Sequence, residues 1–200
     1  MWKHSDKSKH KRIIAKIVML GDGAVGKTAL VQRFVKQSFG GKYKATMGLD
    51  LSLKEITYPE VNVGIQLWDM GGQIAFKPLR SRFYRGAQGA VLVYDITRPQ
   101  TFHNLESWRK ELEENLNSQI PFILLGNKCD LHEMELVSTL EEKSWALKTK
   151  AIGNYRSSAK TGENVDEAFH LLASKLLEEL MILDKKQEKE SEKIDSHFKS

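Results

Sequence analysis

An α/β fold is expected: a mostly parallel six-stranded sheet with one antiparallel edge strand and helices on both faces. Two patterns in the sequence predict it. Short apolar runs alternate with longer segments of helical spacing, the signature of strands joined by crossover helices. One pair of period-two stretches flanks a turn, which adds an antiparallel hairpin.

The run 13–20 reads as the first strand, and 29–35 as an amphipathic helix that follows a glycine-rich turn. Residues 37–48, small and polar with Gly40 and Gly41, read as a loop. Leu49, Leu51 and Leu53 then fall on one side of a strand and Asp50, Ser52 and Lys54 on the other. Beyond a turn at Tyr58, Pro59 and Glu60, the alternation repeats in Val61, Val63, Ile65 and Leu67. Strands at 90–94, 122–126 and 154–157 next alternate with helices at 100–116, 138–150 and 165–183. The last helix carries Val165, Phe169, Leu172 and Leu176 on one face, with Asn164 as its expected N-cap and Glu167 three residues on.

The chain of 200 residues suits one globular domain at 12–183, a basic leader at 1–11 and a charged tail at 184–200. The tail lacks apolar spacing and is expected to be disordered. A single cysteine, Cys129, excludes an internal disulfide and fits a reducing, cytoplasmic setting. No window approaches the roughly 18 apolar residues of a membrane span, and the start lacks a secretory core. The net charge of +5 is fed by Lys3, Lys7, Lys9, Lys11 and Arg12. No aromatic ladder accompanies that run, so nucleic acid is not an expected partner and membrane contact is at most peripheral.

Gly21-Asp22-Gly23-Ala24-Val25-Gly26-Lys27-Thr28 fits the pattern G-x-x-x-x-G-K-[ST], set between a strand and a helix. Its glycines let successive backbone N–H groups converge on phosphate oxygens, while the helix start directs a positive dipole at them. Lys27 is expected to reach the terminal phosphates and Thr28 to ligate Mg2+, with Ala29 just inside the helix completing the lining. Asp69, at the end of the second hairpin strand, is a further candidate for holding Mg2+, and Gly72 and Gln73 follow it. The Gly72 N–H can meet a terminal phosphate, and Gln73 can orient an attacking water.

After the strand at 122–126 stands Asn127-Lys128-Cys129-Asp130. A carboxylate at 130 can accept two hydrogen bonds from the N1–H and exocyclic amine of guanine, an edge adenine does not offer. Asn127 is expected to brace the loop and the Lys128 stem to pack over the ring. In Ser158-Ala159-Lys160 the Ala159 N–H can donate to the guanine carbonyl, with Lys160 covering the other face.

On these motifs the chain resembles the Ras superfamily of small GTPases over about residues 12–183, closest to its Rab branch. The stretches Thr46-Met47-Gly48-Leu49-Asp50-Leu51, Gly64-Ile65-Gln66-Leu67-Trp68-Asp69 and Phe83-Tyr84-Arg85-Gly86-Ala87 read as Rab-like. The resemblance implies a P-loop NTPase G domain, a monomer that binds GTP or GDP with Mg2+ and hydrolyses GTP. It implies that Thr46 is the switch I threonine, ligating Mg2+ and meeting the γ-phosphate, that Phe39 flanks the guanine and that Tyr43 lies over the phosphates. It also implies that Leu51, Trp68 and Phe83 form the apolar triad that meets effectors, alongside sites for an exchange factor and an activating protein; ordinary hairpin packing is the alternative for those three.

Met70-Gly71 departs from the usual Thr-Ala and is Arf-like, which is expected to loosen switch II. The sequence closes His197-Phe198-Lys199-Ser200 without cysteine and has Trp2 where myristoylation needs glycine, so no lipid anchor is expected. Only Lys42 and Lys44, and no arginine, lie between Gln37 and Thr46, so unaided turnover is expected to be slow. A regulatory switch in trafficking or signalling, a GTP-bound adaptor with little hydrolysis, and an ATP-using P-loop enzyme remain distinct readings, the last opposed by Asp130.

Overall fold

Strand β1 (Lys11–Leu20) supplies the middle of the sheet because its last four residues, Ile17, Val18, Met19 and Leu20, are apolar and buried on both faces. The computed structural model describes residues 11–38, 49–59, 61–70 and 77–198, with 77–80 and 183–198 as backbone alone. The expected architecture is the one found. Strands β2 (Leu49–Thr57), β3 (Val61–Met70), β4 (Gly89–Asp95), β5 (Phe122–Asn127) and β6 (Gly153–Ser157) join β1 in the order β2-β3-β1-β4-β5-β6. Only β2 is antiparallel to its neighbour. Every residue of β4 and β5 is buried, as befits parallel strands covered by helices on both sides.

Helices α1 (Lys27–Lys36) and α6 (Val165–Phe198) cover one face, where Phe34 stacks on Phe169 with ring centroids 4.4 Å apart. The other face is covered by α2 (Lys77–Tyr84), α3 (Pro99–His103), α4 (Leu105–Leu116) and α5 (Thr139–Thr149). No described helix is long and apolar enough to cross a membrane.

Several elements differ from expectation. The helix expected at 100–116 is two helices meeting at Asn104, whose amide engages Asp22 at 2.8 Å while its Oδ1 accepts from Gln100. Asparagine at such a junction trades helical regularity for side-chain bonds. Asn164 is not a side-chain cap of α6: it stands at φ 55°, and its Nδ2 donates to the Arg156 carbonyl at 2.6 Å. Helix α6 runs on to Phe198, where a disordered tail at 184–200 is expected; the Lys, Glu and Gln that interrupt the apolar spacing are themselves strong helix formers. Helix α2 carries no apolar period to announce it, yet Tyr84 docks it on α4 through its hydroxyl, which donates to Glu111 at 2.9 Å. In β2 the alternation is present, but its leucine side is the more open one: Leu51 and Leu53 are 47% and 65% exposed. Ile56, on the opposite side, is the strand's buried residue.

Candidate functional site

All the parallel strands end at one edge of the sheet, and the loops that leave them there carry the motif residues. The loop from β1 to α1 turns at Gly21, where φ is +134° and a Cβ would lie 2.1 Å from the Val93 carbonyl oxygen. It turns again at Gly26, where φ is +103° and a Cβ would lie 2.2 Å from Asn127 Nδ2. Ala24 also takes positive φ, at 63°, and exposed Gly-like geometry is held there without a glycine. Val25 pins the loop by burying its side chain completely.

Lys27, 6% exposed, folds its ammonium back along this loop, donating to the carbonyls of Gly21 at 2.7 Å and Asp22 at 2.8 Å. The Thr28 hydroxyl donates to Asp69 Oδ2, and Asp69 is buried at the end of β3. Two of the three expected Mg2+ ligands are therefore in contact, and both are the hard oxygen donors that ion prefers. Among the described residues no group of three or more His, Cys, Asp or Glu is arranged to hold a metal, and His132 and His170 are exposed.

Asn127 joins the two halves of the edge. Its Nδ2 donates to the Val25 carbonyl at 2.8 Å, and its Oδ1 accepts from the Ala159 N–H at 3.1 Å. The Ala159 N–H, expected to face the guanine carbonyl, is thus bonded to Asn127 in this structure. Asp130 accepts from the Ser158 hydroxyl at 2.6 Å and has Lys160 Nζ 3.6 Å from its other oxygen. Lys128 stands at φ 71° and sends its ammonium to Asp95 at 2.6 Å. Burial and the nearby Glu163 carboxylate push the Cys129 thiol up to about 11, so it stays protonated and unreactive at neutral pH.

Three supporting groups, Arg33, Asp95 and Arg98, have no counterpart in the motif reading, and Asp22, a member of the glycine-loop motif, has a side-chain role which that reading did not give. The Asp22 carboxylate faces away from the loop, accepting from Asn104 Nδ2 and Trp108 Nε1 at 2.8 Å each, so it tethers the loop to α4. Arg33 of α1 clasps the loop after β6, with Nε on the Ala159 carbonyl at 2.9 Å and Nη2 on the Lys160 carbonyl. Asp95 ends β4, 1% exposed. Arg98 donates to it and to the Gly23 carbonyl, so an arginine does stand against the glycine loop, from 98 rather than from 37–46. Asp95 alone had a signal in the sequence, a charged residue closing an all-apolar strand at the same edge as Asp69.

Phe39, Tyr43, Thr46, Gly72 and Gln73 lie outside the described residues, as does Gly71. The three apolar candidates for partner contact do come together. Leu51 is the register partner of Trp68, and the Trp68 and Phe83 rings lie 6.4 Å apart. Lys16 caps the indole with its ammonium 3.6 Å from the ring centroid.

A model of the Ras family matches residues 16–178. Ras-related protein Rab7 of Drosophila melanogaster is 42% identical over 175 residues, spanning 86% of this chain and 84% of that protein. Ras-related protein Rab-7a of Dictyostelium discoideum is 40% identical over 167 residues, 82% of each chain. Ras-related protein Rab-13 of Canis lupus familiaris is 38% identical over 162 residues, 81% of this chain and 79% of its own length.

Proposed function

Because the chain belongs to the Ras family of small GTPases and is related to Rab proteins over most of its length, we propose that it is a GTP-dependent switch in vesicle trafficking or cell signalling. It is a GTP hydrolase of the small-GTPase kind. The observation that carries the residue-level reading is the Asn127 bridge, which holds the glycine loop and the loop after β6 within one side chain's span. A nucleoside triphosphate laid along that edge has its phosphates at Gly21–Ala29 and its base beside Asp130.

In this reading the backbone N–H groups of 21–28 cradle the phosphates, and the Lys27 ammonium exchanges the Gly21 and Asp22 carbonyls for phosphate oxygens. Thr28, Asp69 and Thr46 would hold Mg2+, which would supply neutralisation of the phosphate charge. Asp130 recognises guanine, Lys128 and Lys160 cover its two faces, and Ser158 and Asn127 fix the loops that carry them. Phe39 and Tyr43 close over the base and the phosphates. Gln73 orients the attacking water, and Gly72 and Thr46 register the γ-phosphate, so that its loss releases both switch segments. Leu51, Trp68 and Phe83 form the surface read by effectors, with exchange and activating proteins acting on the same switches. The segment 37–46 carries Lys42 and Lys44 but no arginine, and Arg98 commits its guanidinium to Asp95 and the Gly23 carbonyl, which favours slow hydrolysis unless a partner provides an arginine, an addition worth about 10^3 to 10^5 in rate.

Single-turnover hydrolysis of GTP by the wild-type chain and by Gln73→Leu tests this reading. A slow but measurable wild-type rate that falls by at least about tenfold in the variant is expected. No rate in either protein favours a nucleotide-bound adaptor, and turnover of several per second by the unaided wild type contradicts the need for a partner.

A further inference from the structure

Asp95 is a second buried carboxylate at the ligand edge, and neither phosphate cradling nor base recognition calls for it. Its Oδ1 accepts from the Thr97 N–H at 3.0 Å and the Thr97 hydroxyl at 2.8 Å. Its Oδ2 accepts from two cations, Lys128 Nζ at 2.6 Å and Arg98 Nε at 2.9 Å. The same guanidinium reaches onward, and its Nη2 donates to the Gly23 carbonyl at 3.1 Å. A continuous chain of charge-assisted bonds thus runs from the lysine of the base-recognising loop, through the end of β4, to the glycine loop.

Two features say that this chain holds something in place. A buried carboxylate between cations gives up hydration that its ion pairs only partly return, so it is poor evidence for stability by itself. Lys128 also stands at a left-handed φ of 71°, a strained conformation for a non-glycine residue that persists where its surroundings enforce it. The Asp95 carboxyl lies below its ordinary range: burial pushes it up, but the Lys128 and Thr97 bonds outweigh burial, so it is ionised at neutral pH. Arginine suits position 98 because its fork makes both bonds at once, whereas a lysine there makes one.

We propose that Asp95 and Arg98 are positioning residues for nucleotide retention: Asp95 fixes the Lys128 ammonium so that its stem spans the purine, and Arg98 ties that anchor to the glycine loop. The base and phosphate ends of the site then loosen together. This rests on the guanine-nucleotide reading above and deepens it by naming what sets the release rate from within the chain.

The test is the release of fluorescent methylanthraniloyl-GDP from the full chain into excess unlabelled GDP. Lys128→Met keeps the stem and removes the ammonium. Asp95→Asn and Lys128→Met are each expected to speed release on the order of tenfold, and the double variant no further than the faster single. Arg98→Gln is expected to speed release by roughly three- to tenfold, with Arg98→Lys recovering part of the difference. Arg98 has a side chain 43% exposed, so its variants keep the proposal testable if Asp95→Asn does not fold. Single-variant effects that multiply in the double overturn the role of Asp95. Release from Arg98→Gln at the wild-type rate, or a rate that rises only as its unfolding midpoint falls, overturns the role of Arg98. A wild-type chain that takes up no methylanthraniloyl-GDP overturns the nucleotide reading itself, an outcome separate from any variant's.

Discussion

Asp130→Ala is expected to erase the preference for guanine over adenine nucleotides while leaving the fold intact. The carboxylate sits 2.6 Å from the Ser158 hydroxyl and 3.6 Å from the Lys160 ammonium, so both oxygens are oriented before any base arrives. Two hydrogen bonds from a base to an ionised acceptor contribute about 1.5–3 kcal/mol each, so their loss weakens GDP binding by roughly 10^2- to 10^4-fold. Adenine nucleotides never gain those bonds, so their affinity should change little, and the ratio of the two constants carries the information. Isothermal titration of GDP and ADP against both proteins measures it. A variant that keeps its full preference for GDP would transfer guanine recognition to another group.

A large stability effect is expected at Gly26, second to Gly21, where a Cβ would meet the Val93 backbone carbonyl oxygen at 2.1 Å. An alanine at Gly26 places its Cβ 2.2 Å from Asn127 Nδ2 at a φ of +103°. Both the backbone strain and the displacement of Asn127 from the Val25 carbonyl oppose folding, together by about 3 kcal/mol. For a domain of this size that lowers the unfolding midpoint by roughly 6–12 °C. Gly23→Ala is the internal control, since its Cβ would meet nothing within 4 Å of the chain. Its midpoint should stay within about 2 °C of the wild type. Differential scanning fluorimetry of both variants decides the point, and equal midpoints would mean that Asn127 does not clamp the glycine loop.

The sheet was legible in the sequence because β4 and β5 are uninterrupted apolar runs and the hairpin alternates with period two. The site was legible as far as local spacing reached, in the glycine loop and at Asn127 to Asp130. What stayed hidden was made by contacts between distant positions. Arg98 meets Gly23 across 75 residues and Arg33 meets Ala159 across 126, and no local pattern marks either pair. The engagement of the Ala159 N–H by Asn127 was hidden for the same reason, although both residues belonged to recognised motifs. The open side of β2 was not legible for a different reason, because alternation tells which residues share a face without telling which face is covered. Beyond Leu183, the lack of apolar spacing was read as disorder, whereas a helix needs no such spacing when its residues favour helix intrinsically.

Equilibrium competition on the wild-type chain is the most direct test of the central claim that one edge of the sheet holds a guanine nucleotide by its base and its phosphates together. Bound methylanthraniloyl-GDP should be displaced by GTP and GDP at comparable concentrations and retained against an about 1,000-fold excess of ATP. Displacement by ATP as readily as by GTP would contradict it.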